Sequence, residues 1–305
     1  MARALVVWQW TDGKRGHERQ CEGLVLALAD RCSLDHHLLL VPSSPLRRLC
    51  DFFCASLPAV RDVPDPDLIL GAGRRCALPM LTARRARGGR AVYIMRPQLP
   101  PACFDLCIIP RHDGVAPSAH VELSEGPLNP MRPAVNREAG LGVILLGGPS
   151  PHYAWDEEAM LAQIARLRAT RPDMHWLATD SRRSPASLAP RLAAQHGLGF
   201  FSHHDTAPDW LPKLLARAEQ VWVSADSVSM IYEALSAGAR VGVLDVPVRR
   251  IDRISAIAAD LTARGLVMSL HAYGSDTSAS PPPLREADRL ADIILARWPM
   301  LGTQA

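Results

Sequence analysis

The chain has 305 residues, of which 48% are hydrophobic and 21% charged, and a formal net charge of +3. This length is sufficient for two domains of about 100–150 residues each. The composition is that of a folded globular protein rather than a disordered one. Arginine supplies nearly all of the cationic charge, because the only lysines are Lys14 and Lys213. No basic block indicates binding to nucleic acid.

The sequence also bears on the compartment. It contains no apolar run of about 18 residues, so we expect no membrane span. Its N-terminus opens on an apolar strand pattern, ALVVWQW, with no leader or cleavage site, so we expect no signal peptide. The seven cysteines all lie in the first 107 residues without CxxC spacing, which favours free thiols in a reducing compartment. We therefore expect a cytoplasmic protein.

Short apolar runs alternate with helical patterns along the chain, which predicts a parallel α/β architecture. The predicted strands of the first half span residues 4–8, 37–40, 68–70, 91–95 and 106–109. Those of the second half span residues 142–146, 175–178, 199–201, 221–223 and 241–244, with 266–269 as a further candidate.

A stretch rich in Pro, Asn and Gly, residues 124–140, separates the two sets and is interpreted as an interdomain linker. We therefore predict two Rossmann-like domains, residues 1–130 and 131–305, with parallel sheets facing a central cleft. A surface loop, 275–283, precedes the final helix, from about Leu284 to Trp298. That helix is a candidate to pack back on the first domain.

The loop after the first strand carries the first candidate chemistry. It runs from Trp8 to Glu18 and leads into a helix predicted from Arg19 to Ala29. Its glycines permit tight turns beside a helix N-terminus, although it matches neither GxGxxG nor a Walker motif. His17 or Glu18 is a candidate general base, with Asp12 as the runner-up. Alternatively, His17 and Glu18 only cap the helix.

Two more loops of the first half follow predicted strands. Gly73 and Arg74 lie in Gly71–Arg75, where the glycines allow close approach and an arginine can pair with a phosphate. The alternative is a plain turn with solvated arginines. His112 and Asp113 follow the last strand and suggest an acid/base pair, unless these neighbouring side chains point apart.

The second half offers two candidate phosphate loops. Gly147 and Gly148 follow a buried strand and would let backbone amides approach a diphosphate, with Ser150 as a further donor. A simple turn is the alternative. Ser181, Arg182 and Arg183 follow the next strand, where the arginines would neutralise a diphosphate or form a solvated turn.

The segment from Val221 to Leu244 is typical of a strand–turn–helix–strand unit in a parallel sheet. Its hydroxyl cluster, Ser224, Ser227 and Ser229, lies where a helix N-terminus favours an anion. Glu233 lies on that helix and is either a ligand for ribose hydroxyls or an ordinary exposed residue.

Other chemistries are disfavoured by missing motifs. No HExxH or paired Cys/His spacing is present, so we expect no bound metal. The absence of Gly-x-Ser-x-Gly argues against an α/β-hydrolase. Neither half has GxGxxG followed by an acidic residue, which disfavours a dehydrogenase-type epimerase.

Several motifs occur together in one order: WTDGKRGHERQCEGL, PDLILGAGRR, LPPACFDLCIIPRHD, LLGGPSPHYAWD, TDSRRSP and VSADSVSMIYEALSAG. Over roughly residues 4–270, the chain thereby resembles bacterial relatives of the plant mitochondrial-fission protein called "elongated mitochondria". That family is similar in outline to GT-B transferases that add sugars to cell-envelope lipids, including the peptidoglycan lipid-II transferase.

The resemblance implies a nucleotide-diphosphate sugar as co-substrate, no cofactor, and a lipid-linked or envelope acceptor. It implies a donor site at Gly147–Gly148 and from Ser227 to Glu233, and an acceptor loop at Gly16-His17. The acceptor side would then comprise Gly13, Lys14, Gly16, Gly73, Arg74, His112 and Asp113. Because Asp-Gly-Lys-Arg-Gly is bulkier and more charged than the lipid-II transferase's glycine run, neither the acceptor nor the base carries over.

The leading hypothesis is a metal-independent glycosyltransferase, and a single base with no covalent nucleophile favours inversion. One alternative is an interaction or scaffold protein that kept the fold. Another is a non-hydrolysing nucleotide-sugar 2-epimerase. The segment from Leu46 to Cys54 mixes apolar and basic residues at helical spacing, typical of peripheral membrane contact or of a core-facing helix. The sequence leaves the oligomeric state open.

Overall fold

A computed structural model describes residues 3–134, 136–274 and 281–302. The chain divides into two compact units, Met1–Pro130 with Arg285–Ala305, and Met131–Leu284. Among the described residues, no helix is both long enough and apolar enough to cross a bilayer.

Unit 1 is a six-stranded parallel sheet with helices on both faces. Its strands are β1 (Leu5–Thr11), β2 (Leu34–Leu40), β3 (Leu68–Ala72), β4 (Arg90–Ile94), β5 (Leu106–Pro110) and β6 (Val121–Ser124). Its helices are α1 (Arg15–Ala29), α2 (Pro45–Cys54), α3 (Ala77–Arg87) and, from the end of the chain, α9 (Glu286–Arg297) and α10 (Pro299–Gly302). The strand order is β2-β1-β3-β4-β5-β6.

Successive side chains of β1 point to opposite faces of the sheet, and unit 1 has one hydrophobic core on each face. Leu5 and Val7 pack on one face of the sheet with Leu24 of α1, while Val6 and Trp8 pack on the other. All seven residues of β1 are buried, as expected for a central strand of a parallel sheet.

Unit 2 repeats the architecture. Its strands are β7 (Glu138–Leu145), β8 (His175–Thr179), β9 (Leu198–Phe201), β10 (Ala218–Ser224), β11 (Arg240–Leu244) and β12 (Met268–Ser269), in the order β12-β11-β10-β7-β8-β9. Its helices are α4 (Glu157–Thr170), α5 (Leu188–Ala193), α6 (Trp210–Arg217), α7 (Val228–Ala237) and α8 (Ile257–Ala263).

Glycines in unit 2 make room for buried indoles. A Cβ at Gly142 would lie 2.3 Å from the ring of Trp176 on the neighbouring strand, and one at Gly242 would lie 2.5 Å from Trp222. Both tryptophans are almost fully buried. The glycines in these strands therefore serve sheet packing rather than turns.

The fold class and the alternation of strands and helices are confirmed by these two parallel sheets, whereas several boundaries differ from prediction. The α1 helix begins at Arg15 rather than Arg19, so His17 and Glu18 lie in its first turn. Strand β6 was not predicted, because it is four residues long and lies among turn residues. Of the predicted loop 275–283, residues 275–280 lie outside the described residues.

Candidate functional site

A histidine–aspartate pair lies at the carboxyl end of β1. His17 Nδ1 is 3.0 Å from Asp12 Oδ1, and the side chains are 20% and 2% exposed, respectively. A carboxylate at Nδ1 favours the tautomer that carries its proton there and leaves Nε2 to accept one. The predicted candidates Asp12 and His17 thus lie within hydrogen-bond distance of each other.

The Asp12 carboxylate is held in its charged form. Burial works to raise its pKa, but the hydrogen bond from His17, the backbone N–H of Lys14 at 3.2 Å and the nearby positive charges together lower the pKa below its ordinary value. An ionised Asp12 is the state that orients and stabilises a protonated imidazole.

Gly73, in the loop after β3, lies against the imidazole. Its φ is +87°, and a Cβ there would lie 2.3 Å from His17 Cε1 and Nδ1. Only glycine allows both the backbone conformation and the contact. Arg74, next to it, is exposed.

Glu18 is engaged differently from His17. Its Oε1 accepts a hydrogen bond from Thr11 Oγ1 at 2.8 Å. The same hydroxyl accepts the backbone N–H of Gly13, whose φ is +79°, while Lys14 and Gly16 are exposed. Glu18 therefore helps to fix the turn between β1 and α1.

Glu18 also lines a cavity of about 380 Å³ between α1 and β2. The other lining residues combine charged and apolar groups: Gln9, Arg15, Glu22, Val25, Leu26, His36 and Leu38. Leu26 and Leu38 are exposed apolar residues, whereas Arg15 and Glu22 are charged. The cavity therefore has both apolar and charged walls.

His112 and Asp113 lie elsewhere on the same sheet edge. Their nearest N–O separation, 4.0 Å between Nε2 and Oδ1, is too long for a hydrogen bond. They follow β5, three strands from β1 in the sheet order. Three strand spacings amount to about 14 Å, so this pair is not part of the His17 group.

In unit 2, the loops after β7, β8 and β10 are joined by hydrogen bonds. Gly147 N donates to Ser224 Oγ at 2.8 Å, and Gly148 N donates to Asp226 Oδ2 at 3.0 Å. A Cβ at Gly147 would lie 2.1 Å from Asp226, and one at Gly148 would lie 2.1 Å from the carbonyl oxygen of Arg183. The glycines thus allow the loops themselves to approach each other, whereas we expected them to admit a ligand.

Asp226 and Arg183 form the central ion pair of this region. Arg183 donates to Asp226 Oδ2 at 2.8 Å and to the carbonyl oxygen of Gly148 at 3.0 Å. The Asp226 side chain is 0% exposed, and that of Arg183 is 42% exposed. Asp226 Oδ1 is buried and makes no hydrogen bond within the described part of the chain. The pair holds a guanidinium at the surface by means of a buried carboxylate.

Several predicted hydroxyls serve the loops. Ser181 Oγ donates to the carbonyl oxygen of Gly147 at 3.1 Å. Ser150 Oγ accepts the backbone N–H groups of His152 and Tyr153, which closes a turn. Arg182 is exposed. Of this set, the arginines are the groups that face outward.

Helix α7 starts at the end of β10. Ser227 is buried at its N-cap, and within the described residues its side chain makes no capping hydrogen bond. The first-turn amides of this ten-residue helix are therefore not satisfied by the usual side-chain cap. Ser229 is exposed, and Glu233 is half-buried in the second turn.

Three features escaped the sequence interpretation. Asp226 was not among the predicted site residues, and His152 was not paired with Asp252 although their Nδ1 and Oδ2 atoms are 2.7 Å apart. His203 donates its backbone N–H to Asp180 Oδ1 at 2.7 Å, and its Nδ1 lies 2.9 Å from the same oxygen. The available signal for Asp180 was its position two residues after the predicted strand 175–178. Over the described ranges, no three His, Cys, Asp or Glu side chains cluster as metal ligands would.

The two parallel six-stranded units have the GT-B architecture, and solved structures of this class match the whole chain. A Listeria monocytogenes protein assigned as a UDP-N-acetylglucosamine 2-epimerase has a TM-score of 0.63 at 11% identity, covering 98% of both chains. MnaA of S. aureus in a structure with UDP has a TM-score of 0.53 at 12% identity, covering 98% of this chain and 90% of that one. The glycosyltransferase SnogD from Streptomyces nogalater has a TM-score of 0.52 at 14% identity, covering 99% and 98%. Identities this low establish the fold alone.

The family model described as "Mitochondrial fission ELM1" matches residues 15–298. The chain belongs to this family, as the sequence motifs predicted. No curated protein matches the sequence.

Proposed function

We propose that the protein is a metal-independent glycosyltransferase that uses a nucleotide-diphosphate sugar. The observation that carries the proposal is the anion site of unit 2, where Arg183 is held by the fully buried Asp226 beside the uncapped start of α7. A helix N-terminus and a fixed guanidinium are together suited to a diphosphate.

The donor diphosphate would lie on the first-turn amides of α7, with the outward edge of Arg183 and the exposed Arg182 as cationic partners. Positive groups fixed where charge develops stabilise a departing diphosphate without a metal. Gly147 and Gly148 would contribute by bringing the loops together, because their amides already bind Ser224 and Asp226. Ser181 and Ser150 would support the same loops.

The ribose would be recognised by Glu233, whose position in the second turn of α7 lies beyond the diphosphate amides. A carboxylate can accept hydrogen bonds from two neighbouring hydroxyls. Ser229, exposed in the first turn, is a further donor to the phosphates.

In unit 1, His17 would act as the general base for the acceptor hydroxyl. Asp12 fixes its tautomer, and the hydrogen bond between Thr11 and Glu18 makes Glu18 the weaker candidate. A positioned base typically contributes about 10²–10⁴-fold to the rate. One base without a covalent nucleophile favours inversion at the sugar carbon.

We further propose a lipid-linked or envelope acceptor and a peripheral position at the cytoplasmic face of the membrane. The cavity beside Glu18 has both charged and apolar walls, as an amphiphilic acceptor requires. Helix α2, all ten residues of which the structure describes, buries none of them and exposes Leu46, Leu49 and Phe53. Such a helix fits an interfacial contact.

Calorimetry with UDP, GDP, CDP and dTDP tests the donor site. We expect one of them to bind, and Glu233→Ala to weaken its binding by about 10–100-fold, as for a lost hydrogen bond to a charged group. Glu138→Ala is the matched control, because Glu138 is an exposed carboxylate at the amino end of β7. Absence of binding by all four, or equal binding by wild type and Glu233→Ala, would contradict the proposal.

Incubating the nucleotide sugar without acceptor separates the remaining alternatives. A transferase returns the sugar unchanged or slowly hydrolysed, whereas a 2-epimerase yields the epimeric nucleotide sugar. A scaffold protein binds no nucleotide and keeps its partner in both Glu233→Ala and His17→Ala.

A further inference from the structure

Unit 2 contains a histidine–aspartate pair that none of the roles above uses. His152 lies in the loop after β7 and Asp252 in the loop after β11, and Nδ1 is 2.7 Å from Oδ2. The other carboxylate oxygen, Oδ1, accepts the backbone N–H of Ile254 at 2.9 Å and of Ser255 at 3.2 Å. Asp252 is thus fixed by its own loop and presents one oxygen to the imidazole.

Strand β10 lies between β11 and β7 in the sheet. The loops that carry His152 and Asp252 therefore meet across the carboxyl end of β10. Backbone bonds join the two loops beside it: Ala154 N donates to the Pro247 carbonyl and Arg249 N to that of His152, both at 2.8 Å. A ligand on the first turn of α7, which follows β10, would therefore lie next to these joined loops.

Tyr153 is a further link between the two loops. Its side chain is 2% exposed, and its hydroxyl donates to the carbonyl oxygen of Ser255 at 3.3 Å. Burial, and then the charges of Asp226 and Asp252, raise the pKa of Tyr153 to about 12. The charges of Asp226 and Asp252 therefore both act on the Tyr153 hydroxyl.

The imidazole of His152 has one nitrogen available for a ligand. Its Nδ1 is engaged with Asp252, so Nε2 is the nitrogen that can meet a ligand, and the side chain is 31% exposed. Burial raises the pKa of Asp252, but the amides of Ser255 and Ile254 and the His152 contact hold it below its ordinary value. Among the described residues, Asp252 contacts the imidazole, Arg249 and Arg250 donate backbone N–H groups to the carbonyl oxygen of His152, and Tyr153 is its neighbour in the chain.

We propose that His152 is a second catalytic residue, the acid that protonates the departing nucleoside diphosphate. This inference rests on the donor site proposed above. As the bond between the anomeric carbon and the β-phosphate oxygen breaks, the electron pair stays on that oxygen, and His152 Nε2 gives it a proton. The acceptor oxygen forms the new bond to the anomeric carbon and loses its proton to His17. Asp252 is the positioning residue that keeps Nε2 toward the phosphate.

The test compares nucleoside diphosphate with nucleoside monophosphate, using the base that wild type binds. His152→Ala should weaken diphosphate binding about tenfold and leave monophosphate binding within about twofold, because the charge-assisted bond goes to the β-phosphate. Asp252→Asn should show a smaller loss with the same selectivity. His175→Ala is the matched control, since His175 is exposed at the amino end of β8 in the same unit.

His152→Gln separates proton transfer from binding. Glutamine can donate a hydrogen bond but cannot give up a proton, so diphosphate affinity should stay within about threefold. Release of nucleoside diphosphate from the nucleotide sugar should fall about 100-fold.

Equal loss of diphosphate and monophosphate binding in His152→Ala would indicate a structural role and overturn the inference. Unchanged release of nucleoside diphosphate by His152→Gln would also overturn the inference. The donor site would still be supported in that case if Glu233→Ala weakens nucleotide binding. If wild type binds no nucleotide, the donor site and this inference both fail.

Discussion

Gly73 is the residue that lets the loop after β3 lie against the imidazole of His17. The backbone there has φ +87° and ψ 150°, a region that side chains with a Cβ rarely adopt. A Cβ at residue 73 would lie 2.3 Å from ring atoms of His17, and the hydrogen bond to Asp12 holds that ring in place. The side chain of His17 is thus fixed from both sides.

We predict that Gly73→Ala displaces the His17 ring and lowers the free energy of unfolding by about 1–3 kcal/mol. The NMR signal of the Nδ1–H bound to Asp12 should disappear, because the added methyl occupies the place of the ring. Gly88→Ala is the matched control: its φ is +78° and ψ −154°, and a Cβ there meets nothing within 4 Å. It should show the backbone cost alone, and retention of the Nδ1–H signal in Gly73→Ala would contradict the proposed contact.

At the scale of single residues, the sequence allowed candidate site residues to be selected but not the partner of each one to be predicted. Asp12 and His17 were both candidates because they are five positions apart, near one strand end. By contrast, Arg183 and Asp226 are 43 positions apart, and His152 and Asp252 are 100 apart. Those pairings depend on the strand order, which periodicity along the chain does not determine.

Helix α2 carries an exposed apolar face. Leu46, Leu49 and Phe53 recur at the spacing of one helix face and are 73%, 45% and 66% exposed. Ser44 caps the helix by accepting the backbone N–H of Arg47 at 3.3 Å, so the helix is well formed without burial. The alternative of a core-facing helix is therefore wrong.

We predict that the double substitution Leu46→Asp and Phe53→Asp abolishes flotation with vesicles that contain phosphatidylglycerol. Inserting each apolar side chain contributes about 1.5–3 kcal/mol, so losing two should reduce partitioning at least about 100-fold. Val248→Asp is the control, because Val248 is an exposed apolar residue of unit 2. Equal flotation by the double variant, or none by wild type, would contradict a membrane contact through α2.

Element boundaries were harder to predict than element types. The α1 helix extends four residues further toward the N-terminus than expected, because Gly16 indicated a loop but is accommodated in the first helical turn. The amide of Lys14 binds Asp12 Oδ1, which supports this earlier start. Hydrophobic periodicity locates long buried strands well, and it misses short edge strands such as β6.

On the scale of the whole molecule, the C-terminal helix α9 packs into the core of the N-terminal unit. Helix α9 belongs to unit 1, where Leu290, Ala291 and Ile294 are fully buried in the core that includes Leu24 of α1. Arg31, just after α1, binds Asp292 at 2.5 Å and 2.9 Å. Unit 1 therefore lacks part of its core until the last segment has been made.

We predict that deleting residues 285–305 prevents unit 1 from folding while unit 2 still folds. Exposing Leu290 and Ile294, together with their partners on α1, costs more than about 5 kcal/mol, which is comparable with the whole stability of a small domain. Thermal denaturation followed by circular dichroism should lose roughly half of its amplitude, whereas nucleotide affinity, assigned to unit 2, should persist. Lys213→Met is the control, because its ion pair with Asp209 is exposed on both sides, 73% and 59%, and removing it should cost about 1 kcal/mol or less. A deletion variant that kept the full amplitude would show that α9 is dispensable for unit 1.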